Sequence, residues 1–242
     1  MKIEHSIFTD QGSRSVNEDR AGFAVSGDRF CFIVCDGLGG HGMGDIAAQT
    51  AVDAVRQYFL CSSGLDAFAS DVLERAQAAV LAAQTADLRM KHMKTTAVLL
   101  CLEGNRGISL HIGDSRLYRF RNGKLLSRTA DHSLPQILYM TGEIREEEIR
   151  FHPDRNRLLH ALGDDTEAQR IAKSEFEICA GDAFLLCTDG FWEPVTESDM
   201  EYTLQAAKGA KAWLSALSAL AVQRTRTDRA DNLTAVAVTV KE

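Results

Sequence analysis

The sequence predicts an α+β fold, with two sheets and helices outside them. Three observations predict it. Short apolar runs cluster with turn signals between them, amphipathic helical stretches are segregated from those clusters, and helix follows helix where a parallel sheet would need strand after helix. The 242 residues suffice for one larger domain, and no linker or internal repeat divides them.

"FCFIVCD" (30–36) is a short buried strand. From Gly44 the spacing changes to a helical stripe of Ile46, Ala47, Ala51, Ala54, Val55, Tyr58 and Phe59. "CSSG" breaks it, and a second helix from about Leu65 carries Phe68, Val72, Ala76, Ala79 and Ala83. Residues 95–128 have strand composition, with turn signals at 103–107 and at Asn122-Gly123, and read as a meander ending in a hairpin. Residues 131–165 read as polar and helical, with Pro135 early in a helix and Gly142 closing it. Strands return at "IAKSEFEIC" and "AFLLCTD", one more helix carries Trp213, Leu217, Leu220 and Ala221, and "NLTAVAVTV" is the last strand.

This order disposes of a lure. Gly37-Leu38-Gly39-Gly40-His41-Gly42 fits G-x-G-x-x-G, but a dinucleotide fold would return to a parallel strand after the first helix. Composition excludes other classes. A net charge of −7 argues against a general nucleic-acid surface, and no apolar run approaches the ~18 residues of a membrane helix. The N-terminus lacks the pattern of a secretory signal. Cys31, Cys35, Cys101, Cys179 and Cys187 sit in apolar runs and read as buried reduced thiols, the usage of a cytoplasmic chain.

Carboxylates punctuate the strand ends. Asp36, Asp114 and Asp189 follow apolar runs, Asp231 precedes the last one, and Glu18 and Asp19 stand before an early one. Alone, an Asp-Gly pair after a strand is a turn. Gathered on one rim, such carboxylates repel, and a hard divalent cation, Mg²⁺ or Mn²⁺, is the usual remedy. Glycine at 37 would let a backbone carbonyl approach such an ion. No cysteine is followed by five residues and an arginine, and no D-x-D-x-T occurs, so phosphate chemistry through a cysteinyl or aspartyl intermediate is disfavoured.

The ordered series "NED" (17–19), "DGLGGHGMGD" (36–45), "GDSRLYR" (113–119), "DHSL" (131–134), "HPDRNRLLHALG" (152–163), "CTDG" (187–190) and "DNLTAVAV" (231–238) resembles the metal-dependent protein phosphatases of the 2C type, the bacterial branch above all. The resemblance runs from about Ser6 to Val240. It implies a sandwich of two antiparallel β-sheets with helices on both faces. It also implies a single catalytic domain over 1–242 with a flap around 131–165, acting on phosphoserine and phosphothreonine in proteins by attack of a metal-bound hydroxide.

By this resemblance Asp36 bridges two Mn²⁺ or Mg²⁺ ions, the Gly37 carbonyl binds one, and Asp189 and Asp231 bind the other. Glu18 holds metal-bound water, and Asp114 with Asp189 offers a third ion position; the alternative for Asp114 is a turn aspartate paired with Arg116. Arg14 matches the phosphate-binding arginine, Asp19 a supporting residue, and Asn232 a loop-orienting one. Leu38 stands where eukaryotic relatives carry histidine, so His41 is the nearest candidate for general acid, the alternative being a histidine that supports the loop. In the flap, Arg145, Arg150, His152, Arg155 and Arg157 are candidates to meet substrate, or else form a solvated face, and Leu134, Pro135 and Met140 are expected to pack it down. Expected partners are phosphoproteins and a cognate Ser/Thr kinase, with the chain a cytoplasmic monomer that binds neither nucleic acid nor membrane. A catalytically silent phosphatase-like module and a small-phosphomonoester hydrolase are the rival readings.

Overall fold

Asp36, Asp114, Asp189 and Asp231 each lie beside a strand end, so the strand order decides whether they can meet. A computed structural model of the protein describes residues 2–38, 43–164, 171–225 and 228–241. The first half contains strands β1 (Lys2–Asp10), β2 (Arg20–Ser26), β3 (Arg29–Cys35) and the short β4 (Gly37–Leu38), then helices α1 (Gly44–Cys61) and α2 (Leu65–Ala86). Five strands follow: β5 (Lys94–Thr95), β6 (Ala97–Glu103), β7 (Arg106–Ile112), β8 (Arg116–Arg121) and β9 (Lys124–Arg128). Short helices α3 (Leu134–Met140) and α4 (Glu146–Ile149) precede β10 (Ala172–Glu177) and β11 (Asp182–Cys187). The chain ends with α5 (Asp189–Trp192), α6 (Glu197–Ala206), α7 (Ala210–Arg224) and β12 (Leu233–Lys241).

Two five-stranded antiparallel sheets result, ordered β10-β7-β6-β3-β2 and β1-β12-β11-β8-β9. Alternation of side chains along each strand builds three apolar layers from them. Phe32 and Val34 of β3, Val98 and Leu100 of β6, Phe184 and Leu186 of β11 and Val236 and Val238 of β12 meet between the sheets. Their neighbours Cys31, Ile33, Leu99 and Cys101 face the other way, onto Val52, Val55 and Phe59 of α1 and Phe68 and Val72 of α2. On the far side Leu185, Cys187, Ala235 and Ala237 pack on Trp213 and Leu217 of α7. Strands covered on both faces read as continuous apolar runs, which is why "FCFIVC" and "AFLLC" show no polar alternation. The expected helix–sheet–sheet–helix sandwich is the observed one.

The structure amends some local expectations. The 95–128 meander is two hairpins in different sheets: β6 pairs with β7 in one, β8 with β9 in the other, and the chain crosses between them at Gly113–Ser115. Residues 131–164 hold only two short helices, because turns between 150 and 157 interrupt the pattern. Pro135 is buried as expected, but Met140 is 73% exposed and does not pack that segment down. Cys31, Cys35, Cys101 and Cys187 are buried free thiols, whereas Cys179 is half-buried and Cys61 exposed.

Candidate metal centre

Strand direction brings the acidic residues to one edge. In the first sheet β3 and β7 both run antiparallel to β6, so Asp36 and Asp114, which follow them, emerge at the same end. The start of β2 lies at that end too, with Glu18 and Asp19 just before it. In the second sheet the end of β11 lies beside the start of β12, which places Asp189 near Asp231. A cleft of about 230 Å³ at this edge is lined by Arg14, Glu18, Asp36, Gly37, Asp114, Asp189 and Asp231, with Leu38, Asn156, Leu158 and Asn232 completing the wall.

Hydrogen bonds hold the turns that carry Asp36 and Asp114 and the loop that carries Glu18. The Asp36 amide donates to Thr96 Oγ1 at 2.9 Å, and the Asp36 carbonyl accepts from the Thr96 amide at 2.8 Å and from Thr95 Oγ1 at 2.9 Å. Thr96 Oγ1 also meets Ser115 Oγ at 2.7 Å, tying the Asp36 turn to the Asp114 turn. Trp192 Nε1 donates to the Asp114 carbonyl at 3.1 Å. Asn232 orients the approaching loop: its side chain accepts from the Glu18 amide at 2.8 Å and donates to the carbonyls of Gln11 and Val16. Glu18 Oε1 accepts from the Gly44 amide at 3.0 Å. Gly37 is glycine for a packing reason. A Cβ there would stand 2.2 Å from the Gly44 carbonyl oxygen, so the backbones of β4 and of the start of α1 touch.

The electrostatics are those of crowded like charges. Burial first, then neighbouring carboxylates, pushes Asp36, Asp114 and Asp189 up from their ordinary values. Asp189 is among the like charges that raise Asp36. Asp19, buried below against Thr188 Oγ1 at 2.9 Å, is raised to about 7 by burial and by Asp189 and Asp231. Arg14 is the cation in the cleft, and its guanidinium forks onto Asp231 at 2.9 and 2.7 Å. Arg116 is not a partner of Asp114: it is buried in a two-pronged bond to Asp131 at 2.8 and 2.6 Å, which removes the alternative of an Asp114–Arg116 turn pair.

As the side chains stand, no three His, Cys, Asp or Glu groups among the described residues converge on one ion-sized point. Asp231 is turned to Arg14. The donor chemistry nonetheless fits hard divalent cations: carboxylate and carbonyl oxygens, with more negative charge than one arginine can offset.

His41 lies outside the described residues. Among the flap candidates, Arg150 is spent on Glu197 at 2.9 and 3.0 Å, Arg145 bonds Glu148 within its own turn, and Arg155 pairs with Glu193. Asn156 and Leu158, which the sequence did not single out, reach the cleft from the same segment.

With this geometry in view, a family model described as protein phosphatase 2C matches residues 10–234. The chain belongs to the protein phosphatase 2C family. This phosphatase is 32% identical over 213 residues to the serine/threonine phosphatase stp of Listeria monocytogenes, covering 84% of each chain. Its fold matches the crystal structure of the Mycobacterium tuberculosis serine/threonine phosphatase PstP/Ppp with a TM-score of 0.86 at 29% identity, over 99% of both chains. A structure of the PstP catalytic domain in complex with two manganese ions matches at a TM-score of 0.84 and 28% identity, again over 99% of each. The chain is a metal-dependent serine/threonine protein phosphatase: its relatives are named serine/threonine phosphatases, and one of them is solved with manganese.

Proposed function

We propose that Asp36, Asp189 and Asp231, with the Gly37 carbonyl, hold two divalent cations, Mn²⁺ or Mg²⁺, to which Glu18 contributes through water. Asp114 with Asp189 offers a third position. The observation that carries this reading is the gathering of five acidic side chains from distant segments around one cleft, four of them with burial-raised affinity for a proton. When bound, the ions supply a nucleophilic water at neutral pH and offset charge on the phosphoryl oxygens.

The chain's own groups do the rest. Asp231 cannot serve Arg14 and an ion equally, so its turning inward frees the Arg14 fork for phosphoryl oxygens, a planar donor pair suited to a tetrahedral oxyanion. Asn232 keeps the Gln11–Glu18 loop, and with it Arg14, against the cleft. Leu38 and Leu158 are apolar parts of the wall that limit water beside the phosphate. His41 gives the leaving seryl or threonyl oxygen its proton. His41→Gln is therefore expected to lower turnover of a phosphothreonine peptide by ~10²-fold, and to lower p-nitrophenyl phosphate turnover less, since nitrophenolate leaves without a proton. Equal losses on both substrates would remove His41 from that role.

The substrates are phosphoproteins made by a cognate Ser/Thr kinase, met by a monomeric enzyme in the cytoplasm, with the 131–165 segment as the flap of one catalytic unit. No helix among the described residues is long and apolar enough to cross a membrane. Turnover of p-nitrophenyl phosphate and of phosphopeptides, each with and without Mn²⁺, tests the reading. Binding without turnover would favour a silent module, and a preference for small metabolites would favour a phosphomonoester hydrolase.

Metal also links to stability. A carboxyl whose folded-state affinity for a proton is raised destabilises the fold once pH climbs above its unfolded value, the loss growing until the folded group ionises. The metal-free protein thus carries this penalty near neutrality from Asp36, Asp114 and Asp189. An ion binding the ionised form relieves it and adds roughly 2.7 kcal/mol at a hundredfold excess over Kd. The Tm difference between Mn²⁺-loaded and chelator-treated protein is expected to widen as pH rises from about 5.5 to about 8. A difference that stays constant would contradict ligation by these carboxylates.

A further inference from the structure

A second cleft, about 690 Å³ in volume, opens beside the carboxylate cleft, and Arg14, Asn156 and Asp231 are common to both walls. It departs from the charge of the chain as a whole, which is −7. Among the described residues, Arg14, Arg150, Arg155, Arg224 and Arg229 line it against Glu193 and Asp231 as acids. Four of these arginines are engaged: Arg14 with Asp231, Arg150 with Glu197, Arg155 with Glu193, and Arg224 with Asp199 at 3.0 Å. Arg229 is exposed and forms no ion pair among the described residues. On the wall contributed by the 131–164 segment stands Phe151, an aromatic ring left 78% exposed, which also borders a third cleft beyond it.

An exposed ring, and a guanidinium without an ion pair among the described residues, facing one groove that runs into a phosphate site describe a peptide-recognition surface. We propose that this cleft receives the residues flanking the phosphorylated side chain, with an apolar residue packing on Phe151 and an acidic residue pairing with Arg229. The substrate class is thus phosphoserine or phosphothreonine in an acidic, partly apolar segment. This inference rests on the phosphatase reading above, and it concerns residues outside the carboxylate cleft.

The test uses the whole chain with Mn²⁺ and three phosphothreonine peptides identical except for Glu, Ala or Lys at the positions flanking the phosphoresidue. For an exposed pair the wild-type enzyme is expected to favour the Glu over the Lys peptide by roughly fivefold in kcat/KM, chiefly through KM, with the preference shrinking as salt is raised. Arg229→Glu is expected to erase or invert that ratio, and Arg229→Lys to retain it. Phe151→Ala is expected to raise KM for all three peptides, with Phe151→Leu recovering part of the loss. A wild-type ratio near one, or a ratio unchanged in Arg229→Glu, overturns the proposal. Wild-type turnover of p-nitrophenyl phosphate separates the two readings. If it proceeds while the peptide ratio is near one, only the groove assignment falls. If neither substrate kind is turned over, the phosphatase reading falls and takes this one with it.

Discussion

Asp36→Ala is expected to lower Mn²⁺-dependent phosphatase activity by ~10³-fold or more, the rate equivalent of the several kcal/mol that polarising ions supply. Asp36 follows β3, is half-buried in the wall of the cleft, and stands among Asp189, Asp114 and Asp231. Asp114, Asp189 and Asp231 each leave the sheets from a different segment, so none of them stands where Asp36 does. The effect on the fold has the opposite sign. Asp36→Asn keeps the volume and removes a buried like charge, so the metal-free variant is expected to melt at or above the metal-free parent. Mn²⁺ should then move its Tm far less than it moves the parent's. Steady-state kinetics and melting curves on the two variants check both halves. Full activity in Asp36→Ala would contradict the assignment.

Asp131→Ala is expected to cost roughly 3–5 kcal/mol of stability, the range for stranding one member of a buried ion pair. Arg116 and Asp131 have side chains only 3% and 2% exposed. The guanidinium also donates to the Tyr118 hydroxyl at 3.0 Å and stacks 3.5 Å over the Trp192 ring. Without Asp131 it would remain buried beside Tyr118 and Trp192 with its charge unanswered. Trp192 holds the Asp114 carbonyl, so the loss should reach the site as well as the fold. Replacing both partners by apolar residues, Arg116→Met with Asp131→Leu, is expected to recover much of the stability but not the placement of Asp114. Urea denaturation of the single and double variants measures the first, and activity the second.

The acidic cluster could be read from the sequence because a carboxylate at the end of an apolar run is a local signal, repeated at 36, 114 and 189 and mirrored at 231. The two-sided burial of β3, β6, β11 and β12 was equally plain in their unbroken apolar character. What escaped was non-local or weakly patterned. β1 is a half-exposed edge strand paired only with β12, so "KIEHSIFTD" carries little periodicity. The partner of Arg116 lies 15 residues away across a hairpin, and spacing alone favours the nearer Asp114. The sheet-to-sheet crossing at Gly113–Ser115 depends on packing between layers that no single segment encodes. α6 escaped as well, although Thr196 and Asp199 form a reciprocal cap at its start. In the 131–164 segment, polar composition invited a longer helical reading than its closely spaced turns permit.

The most direct measurement is anomalous diffraction at the manganese edge from crystals of the protein grown with Mn²⁺. The account predicts peaks inside the cleft, with Asp36 touching two ions and Asp189 and Asp231 each touching at least one. Manganese bound only elsewhere, or a cleft in which Asp231 stays on Arg14 and no peak appears at saturating Mn²⁺, would contradict it.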